Sequence, residues 1–286
     1  MATRVRKVGV VGLGTMGAGI AQVCVQAGVE TVGREVSAEL GERARARIDH
    51  YLARGVEKGR LTAGEKEKAL ARLATTTELA DLAGCDFVIE AIVEDLDAKR
   101  ELFRELEAVV GPDAVLATNT SALSVTDVAR AAERPERVVG LHFFNPAPVL
   151  PLVEVVRTEL SSEEAVATAY ELAEHVGKEP IRCADTPGFV VNRILIPLLN
   201  DCVRVLDEAG VTPEDLDKAM TRGVNWPIGP CALLDLIGLD VHVDASEALF
   251  AALGEERMAP PERLVRMRDE GLLGRKSGRG FFRYEG

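Results

Sequence analysis

Two kinds of hydrophobic pattern alternate along the first 184 residues of the chain. Short β-branched apolar runs are typical of buried parallel strands, and apolar residues at three- and four-residue spacing are typical of amphipathic helices. The strand-type runs are VRKVGVVGL, DFVIEAI, AVLATNT, RVVGLHFF, LVEVV and EPIRC. The clearest helical runs are AGIAQVCVQAG, LDAKRELFRELEAVV and SSEEAVATAYELAEHVG. This alternation predicts an α/β domain with a doubly wound, mostly parallel sheet covered by helices on both faces.

Within this domain, one segment departs from the alternation. Residues 38–74 are long, highly charged and helical in propensity, with glycines near the middle, and we expect a helical hairpin that protrudes from the sheet domain. Near residue 161, Ser161 and Glu164 have the spacing of a capping box, which predicts that Ser161 caps the helix that follows.

From residue 185 the pattern changes to helical segments separated by Pro and Gly, with no convincing strand. We therefore predict two domains, residues 1–184 and an all-helical domain of residues 185–286. The helical domain has little apolar surface per helix, and small domains of this kind often complete their core by pairing. The expectation is a homodimer formed through the C-terminal domain.

The composition narrows the classes of partner. The 286 residues carry a formal net charge of −12 and no dense run of Lys or Arg, which argues against nucleic acid or an anionic membrane as partner. Five scattered cysteines form no CxxC pair, so neither a metal site nor a disulfide framework is predicted. No apolar run reaches the length of a membrane span. The expected location is the cytoplasm.

A glycine-rich turn follows the first predicted strand and opens the first predicted helix. In GLGTMG, Gly12 permits a tight turn, Gly14 lets the backbone approach a pyrophosphate, and Gly17 allows close packing of helix on strand. Thr15 and Met16 lie in the same turn. Free N–H groups at the helix start favour an anion. The context predicts a Rossmann-like dinucleotide site.

The second strand should end in an acid that binds the ribose hydroxyls. Glu35 lies eighteen residues after Gly17, close to the expected spacing of about 20, and its charge would repel a 2′-phosphate. NAD is therefore expected as the cofactor. However, Gly33 and Arg34 interrupt the apolar pattern of this strand, and Arg34 is a potential partner for the 2′-phosphate of NADP.

One of only four histidines, His142, ends an apolar run, and Glu154 follows twelve residues later. Between them, Pro146 and Pro148 allow one strand to end and the next to return, so that the two side chains become neighbours. Histidine suits proton transfer near neutral pH, and a carboxylate on its other nitrogen would fix the tautomer. From local sequence alone, a structural histidine in a buried strand is the favoured interpretation, because short apolar runs are common and most histidines are not catalytic.

Several separate motifs, in one order along nearly the whole chain, resemble the L-3-hydroxyacyl-CoA dehydrogenase family, of the bacterial 3-hydroxybutyryl-CoA dehydrogenase type. They are GLGTMGAGIA, EAIVEDLDAKRELF, ATNTSALSV, GLHFFNPAPVLPLVEVV, DTPGFVVNRIL, PIGPCALLDLIGLD and GRKSGRGFF. The resemblance implies an NAD-dependent oxidation of the 3-hydroxyl of a short acyl-CoA. It implies that His142 is the catalytic base, that Glu154 orients it, and that Ser121 and Asn192 bind the substrate oxygens.

The same resemblance implies further binding residues. For NAD these are Glu94, Lys99, Asn145 and Lys276, the last only when the helical domain closes. For coenzyme A, Lys58 matches the family's substrate-binding lysine, and Arg54 adds charge on the same hairpin. Where the family has a nearby serine this chain has Tyr51.

Two alternatives remain at this stage. One is a dehydrogenase of a free hydroxy acid, similar to L-gulonate 3-dehydrogenase, which would keep the cofactor site but would not need the basic hairpin. The other is a non-catalytic NAD-binding protein.

Overall fold

A computed structural model of the protein describes residues 5–284, which form two compact units divided between Thr186 and Pro187. The described part of the first unit contains eight strands: β1 (Lys7–Val11), β2 (Glu30–Arg34), β3 (Leu73–Thr76), β4 (Phe87–Glu90), β5 (Val115–Thr118), β6 (Val138–Phe143), β7 (Leu152–Arg157) and β8 (Glu179–Ala184). Its helices are α1 (Thr15–Gln26), α2 (Ala38–Glu57), α3 (Ala63–Ala71), α4 (Leu96–Val109), α5 (Val125–Ala129) and α6 (Glu163–His175).

The strands form one sheet in the order β3-β2-β1-β4-β5-β6-β7-β8. Strands β1 to β6 are parallel, β7 is antiparallel to β6, and β8 is parallel to β7. The predicted doubly wound, mostly parallel sheet is therefore confirmed. The strand order reverses at β1 and β4, and in such sheets the crevice at the carboxyl ends of these strands is where ligands bind.

Alternate residues of the strands enter two separate cores, one on each face of the sheet. In β4, Phe87 and Ile89 join the core beneath α1, α2 and α6, whereas Val88 joins the core beneath α4. Both faces are apolar because both are covered, which explains why the strands appear in the sequence as continuous hydrophobic runs.

Three local expectations were wrong. The edge strand β3 was missed, because only Leu73 of its four residues is buried. The hairpin of α2 and α3 does not simply protrude: Ile48 and Leu52 are fully buried in the sheet core, since the apolar stripe of α2 faces it. The helix α6 is capped by Ser162, whose side chain accepts from the N–H of Ala165. Ser161 instead donates to the carbonyl of Val138.

Close packing explains why Gly33 interrupts the apolar pattern of β2. A Cβ at this position would lie 2.7 Å from a methyl group of Leu13, the second residue of the glycine-rich turn. The turn therefore sits directly against β2, and any larger residue at position 33 would push the two apart.

The second unit is helical, as predicted, with α7 (Val191–Ala209), α8 (Pro213–Gly223), α9 (Pro230–Ile237), α10 (Leu239–Leu253) and α11 (Glu262–Asp269). Its C-terminal segment is tied to α9 through Asp235, which accepts from the N–H groups of Phe281 and Phe282 and from the Tyr284 hydroxyl. Across residues 5–284, the helices are all too short or too polar to cross a membrane.

Candidate active site

The predicted pair of His142 and Glu154 comes together on the antiparallel strands β6 and β7. The two residues are directly opposite in the register, so their side chains lie on the same face of the sheet. The distance from His142 Nδ1 to Glu154 Oε2 is 2.7 Å, and both side chains are buried. A carboxylate only accepts hydrogen bonds, so the proton of the neutral ring is on Nδ1.

The other ring nitrogen faces Ser121. His142 Nε2 lies 3.1 Å from Ser121 Oγ, and the ring of Phe144 packs 4.5 Å from the imidazole, centroid to centroid. Because Glu154 holds the proton on Nδ1, Nε2 presents a lone pair that can take a proton from a hydroxyl group. This arrangement has the features of a general base with an orienting carboxylate.

The family resemblance implies that Glu94 and Lys99 contact the cofactor. In the structure, Glu94 binds the loop that carries Ser121, and Lys99 lies next to Glu94. Glu94 Oε1 accepts from the Thr120 hydroxyl at 2.5 Å and from the backbone N–H of Ser121 at 2.9 Å. Lys99 is 1 % exposed, and its ammonium lies 2.6 Å from Glu90 and 3.3 Å from Glu94.

The glycine-rich turn has the form that a dinucleotide needs. Gly12 has a φ of 84°, and a Cβ on Gly17 would overlap the carbonyl oxygen of Gly12. Gly14 is the N-cap of α1 and provides no capping side chain, so the N–H groups at the start of α1 have no side-chain acceptor there. A pyrophosphate fits such donors.

At the end of β2, Glu35 and Arg34 have different partners. Glu35 Oε1 accepts from the N–H of Leu13 at 2.7 Å, which places this carboxylate at the glycine-rich turn. Arg34 Nε instead donates to the carbonyl of Thr77 at 3.2 Å, on the side of the edge strand β3. The geometry places an acid, and not the guanidinium, against the turn.

A pocket of about 560 Å³ lies between α1, α2 and the β6–β7 loop, entirely within the first unit. Of the described residues that line it, all those with a formal charge are cations: Arg47, Arg54, Lys58 and Arg60. Asn145 also lines this pocket. In a chain with a net charge of −12, this is a local basic site of the kind that an anionic ligand requires.

The last two predicted residues lie in the helical unit. Asn192 is the second residue of α7 and is partly exposed. Lys276 lies in a short helical turn near the C-terminus, where its ammonium pairs with Asp240 at 2.5 Å.

The structure also shows residues that sequence reasoning missed. The buried Glu90 ends β4 and binds Lys99, Asn119 accepts from the N–H of Phe143, and Lys178 donates to two carbonyls of the β6–β7 loop. Arg47 donates to the carbonyls of Leu13 and Gly14. The only local signal was the polarity of Glu90 within the apolar run DFVIEAI.

Two family models and several known proteins match this chain over nearly its whole length. The family model for the 3-hydroxyacyl-CoA dehydrogenase NAD binding domain matches residues 7–186, and that for the C-terminal domain matches residues 188–284. A 3-hydroxybutyryl-CoA dehydrogenase of Mycobacterium tuberculosis is 47% identical over 99% of this chain and 100% of its own length.

Two solved structures extend the comparison. The (S)-3-hydroxybutyryl-CoA dehydrogenase of Ralstonia eutropha is 40% identical, with a TM-score of 0.94 over 99% of this chain and 100% of its own. A pyridine carboxylic acid 5-dehydrogenase, an NAD+-dependent dismutase, is 32% identical with a TM-score of 0.78, covering 98% of this chain and 91% of its own.

Proposed function

The chain belongs to the 3-hydroxyacyl-CoA dehydrogenases, an NAD-dependent oxidoreductase family, and from this premise we propose that it interconverts an L-3-hydroxyacyl-CoA, such as 3-hydroxybutyryl-CoA, and the 3-ketoacyl-CoA. The observation that carries the proposal is the imidazole of His142 held between Glu154 and Ser121. The runner-up is oxidation of a free hydroxy acid.

In the proposed reaction, His142 Nε2 takes the proton of the 3-hydroxyl as the C3 hydride leaves. Glu154 keeps the ring in the tautomer that can accept this proton and stabilises the imidazolium that forms. General-base catalysis of this kind contributes roughly 10²–10⁴-fold in rate. In the reverse direction, the same imidazolium returns the proton to the keto oxygen.

Ser121 and Asn192 are proposed to bind the oxygens of the substrate. Ser121 already lies at hydrogen-bond distance from His142, so a substrate hydroxyl in this place can contact both groups. We assign the carbonyl of the thioester to the amide of Asn192, in line with the family resemblance.

NAD, when bound, supplies the acceptor for the hydride. The residues proposed to hold it are the N–H groups of the turn at Gly12, Gly14, Thr15, Met16 and Gly17, the carboxylates of Glu35 and Glu94, and the side chains of Lys99, Asn145 and Lys276. The uncapped start of α1 and the position of Glu35 at the turn support this assignment.

The basic pocket is proposed to bind the phosphates of coenzyme A through Lys58 and Arg54. A cation about 4 Å from a phosphate oxygen in a solvated site contributes about 1 kcal/mol per unit charge, or roughly fivefold in affinity. A free hydroxy acid carries no such phosphates, so the pocket favours the acyl-CoA over the runner-up.

The test follows NADH absorbance with acetoacetyl-CoA, for the wild type and for His142→Ala, with NADPH as the second cofactor. We expect NADH oxidation by the wild type and at least a 100-fold loss in the variant. Lys58→Ala should raise the KM for acetoacetyl-CoA about fivefold, whereas Lys68→Ala, an exposed lysine on α3 outside the pocket, should not. Turnover of free hydroxy acids alone, unaffected by Lys58→Ala, would support the runner-up.

We also propose that the helical unit pairs with a second copy of the chain. It has large apolar side chains that are about half exposed or more, among them Val205, Val224, Leu236 and Val241. Light scattering should give a mass of about twice 30.7 kDa; a monomer at micromolar concentration would contradict the pairing.

A further inference from the structure

A buried lysine contacts the loop that joins β6 to β7. Lys178 is 8 % exposed, and its ammonium donates to the carbonyl of Ala147 at 2.5 Å and to that of Leu150 at 2.9 Å. No carboxylate of residues 5–284 forms an ion pair with it, and burial lowers its pKa. A buried cation whose partners are neutral carbonyls is costly for stability. Stability therefore does not explain why a lysine occupies this position.

The turn that ends α6 fixes the backbone of Lys178. Gly177 has a φ of 79°, and the N–H of Lys178 donates to the carbonyl of Ala173 at 2.9 Å. This is the Schellman arrangement that ends many helices. The next residue, Glu179, begins β8 and donates its N–H to the carbonyl of Pro151. Lys178 is thus anchored between the end of a helix and the start of a strand.

The β6–β7 loop has few means of holding its own position. Three of its residues provide no backbone N–H, namely the prolines at positions 146, 148 and 151. Its large apolar side chains bury little, because Val149 is 69 % exposed and Leu150 is 38 % exposed. The ammonium of Lys178 binds two carbonyls of this loop that are three residues apart, and so links two points of it.

The same loop contributes to both proposed ligand sites of the first unit. Asn145, at its start, is a proposed contact of NAD, and residues 145–149 line the basic pocket. A Cβ on Gly19 of α1 would lie 3.1 Å from Pro148 and 3.2 Å from Ala147, so the loop packs directly against α1. A shift of the loop would therefore move Asn145 and the pocket wall together.

We propose that Lys178 is a positioning residue whose buried ammonium holds the β6–β7 loop, so that Asn145 meets the dinucleotide and the loop completes the basic pocket. His142 and Glu154 lie outside the loop, where the register of β6 and β7 holds them. Lys178 therefore acts on ligand affinity and not on proton transfer. Its effect on coenzyme A rests on the proposed function, whereas its effect on the dinucleotide needs only the NAD-binding domain.

The first test is Lys178→Met in the full-length protein, which removes the ammonium and keeps a side chain of similar length. We expect the Kd for NADH, measured by its fluorescence, and the Kd for coenzyme A, measured by calorimetry, each to rise about fivefold to tenfold. This is the size of one lost hydrogen bond. The kcat for acetoacetyl-CoA reduction should change less than about threefold. Unchanged Kd values in the folded variant would overturn the proposal, as would a large fall in kcat alone.

Two controls separate positioning from general effects. Val166→Ala, at the start of α6, removes part of a side chain that is 1 % exposed and distant in sequence from the loop. It should lower the melting temperature and leave both Kd values unchanged. Lys68→Met, an exposed lysine on α3, controls for the loss of one positive charge. If Val166→Ala weakened both ligands as much as Lys178→Met does, a structural role would replace the proposed one.

A double-mutant cycle tests whether Lys178 acts through Asn145. Asn145→Ala alone should weaken NADH binding about fivefold, and adding Lys178→Met should weaken it less than about twofold further. Losses that multiply would contradict the positioning of Asn145. This cycle needs no turnover. If the wild type failed to reduce acetoacetyl-CoA, the proposed function would fall while the cycle still decided the role of Lys178.

A second variant covers the case in which Lys178→Met does not fold. Lys178→Gln keeps uncharged N–H donors on a side chain one atom shorter, which cannot bridge both carbonyls at their present positions. We expect its Kd for NADH to be at least about threefold weaker than that of the wild type. A wild-type Kd in Lys178→Gln would overturn the proposal.

Discussion

The buried His242 makes the stability of the helical unit depend on pH. Its ring on α10 is 2 % exposed, and Nε2 lies 2.8 Å from Oδ1 of Asn200 on α7. The amide nitrogen of Asn200 donates to the carbonyls of Met258 and Ala259, so its oxygen is the acceptor and His242 donates. Burial lowers the pKa of His242 from 6.5 to about 4. The fold therefore contains the neutral ring.

The sign and size of the effect follow from this shift. Between pH 6.5 and about 4 the unfolded chain binds a proton that the folded chain does not, so acid favours unfolding. The contribution of His242 is complete above pH 6.5 and is lost as the pH falls towards 4. A shift from 6.5 to about 4 corresponds to a total of roughly 3 kcal/mol, of which about 1.4 kcal/mol is lost by pH 5.5.

The assay is urea unfolding at pH 7.5 and pH 5.5, followed by fluorescence of Trp226, the single tryptophan, which lies in the helical unit. His242→Gln keeps an amide N–H donor but does not titrate. We expect the wild type to lose about 1.4 kcal/mol more than this variant between the two pH values. The other three histidines are present in both proteins and cancel. Equal losses in the two proteins would refute the reasoning.

Further predictions concern the active site, the C-terminal segment and the cofactor. Glu154→Gln should lower kcat about 10³-fold or more, because an amide can hold the imidazole in the wrong tautomer; a loss below tenfold in steady-state assays would contradict the orienting role. Gly280→Ala should destabilise the protein by about 2 kcal/mol or more in thermal unfolding, because its Cβ would overlap the Asp235 carboxylate. Gly64→Ala on α3, where a Cβ meets open space, should be neutral or stabilising by up to about 1 kcal/mol, and a comparable loss there would contradict the packing argument. Glu35→Ser should raise the ratio of NADPH to NADH activity at least about tenfold, since a carboxylate repels the 2′-phosphate; an unchanged ratio would refute this.

The local sequence pattern was sufficient to predict a strand where the residues near it in sequence dictate its environment. The runs around β1, β4 and β6 were predicted because both faces of these strands are covered and the sequence is apolar throughout. The edge strand β3 was missed because it buries little. The capping-box spacing of Ser161 and Glu164 predicted the wrong cap, because the adjacent Ser162 has an equivalent side chain and only the backbone path decides which of the two caps the helix.

The candidate site likewise has features that the local sequence predicted and contacts that it did not. The spacing of His142 and Glu154 across a proline-containing turn was enough to make them neighbours, since a strand pair that folds back sets its own register. The family resemblance implied roles for Ser121 and Glu94, but it did not predict the hydrogen bond between them.

The sequence by itself therefore determined the central strands of the sheet, the glycine-rich turn and the pairing of His142 with Glu154, because each follows from short-range patterns. Only the tertiary structure decided that Lys99 is buried between Glu90 and Glu94, and that four cations line one pocket. The physical reason is that parallel strands bring their carboxyl ends together through long crossover connections. Contacts made across such connections depend on how the layers pack, and spacing along the chain does not encode them.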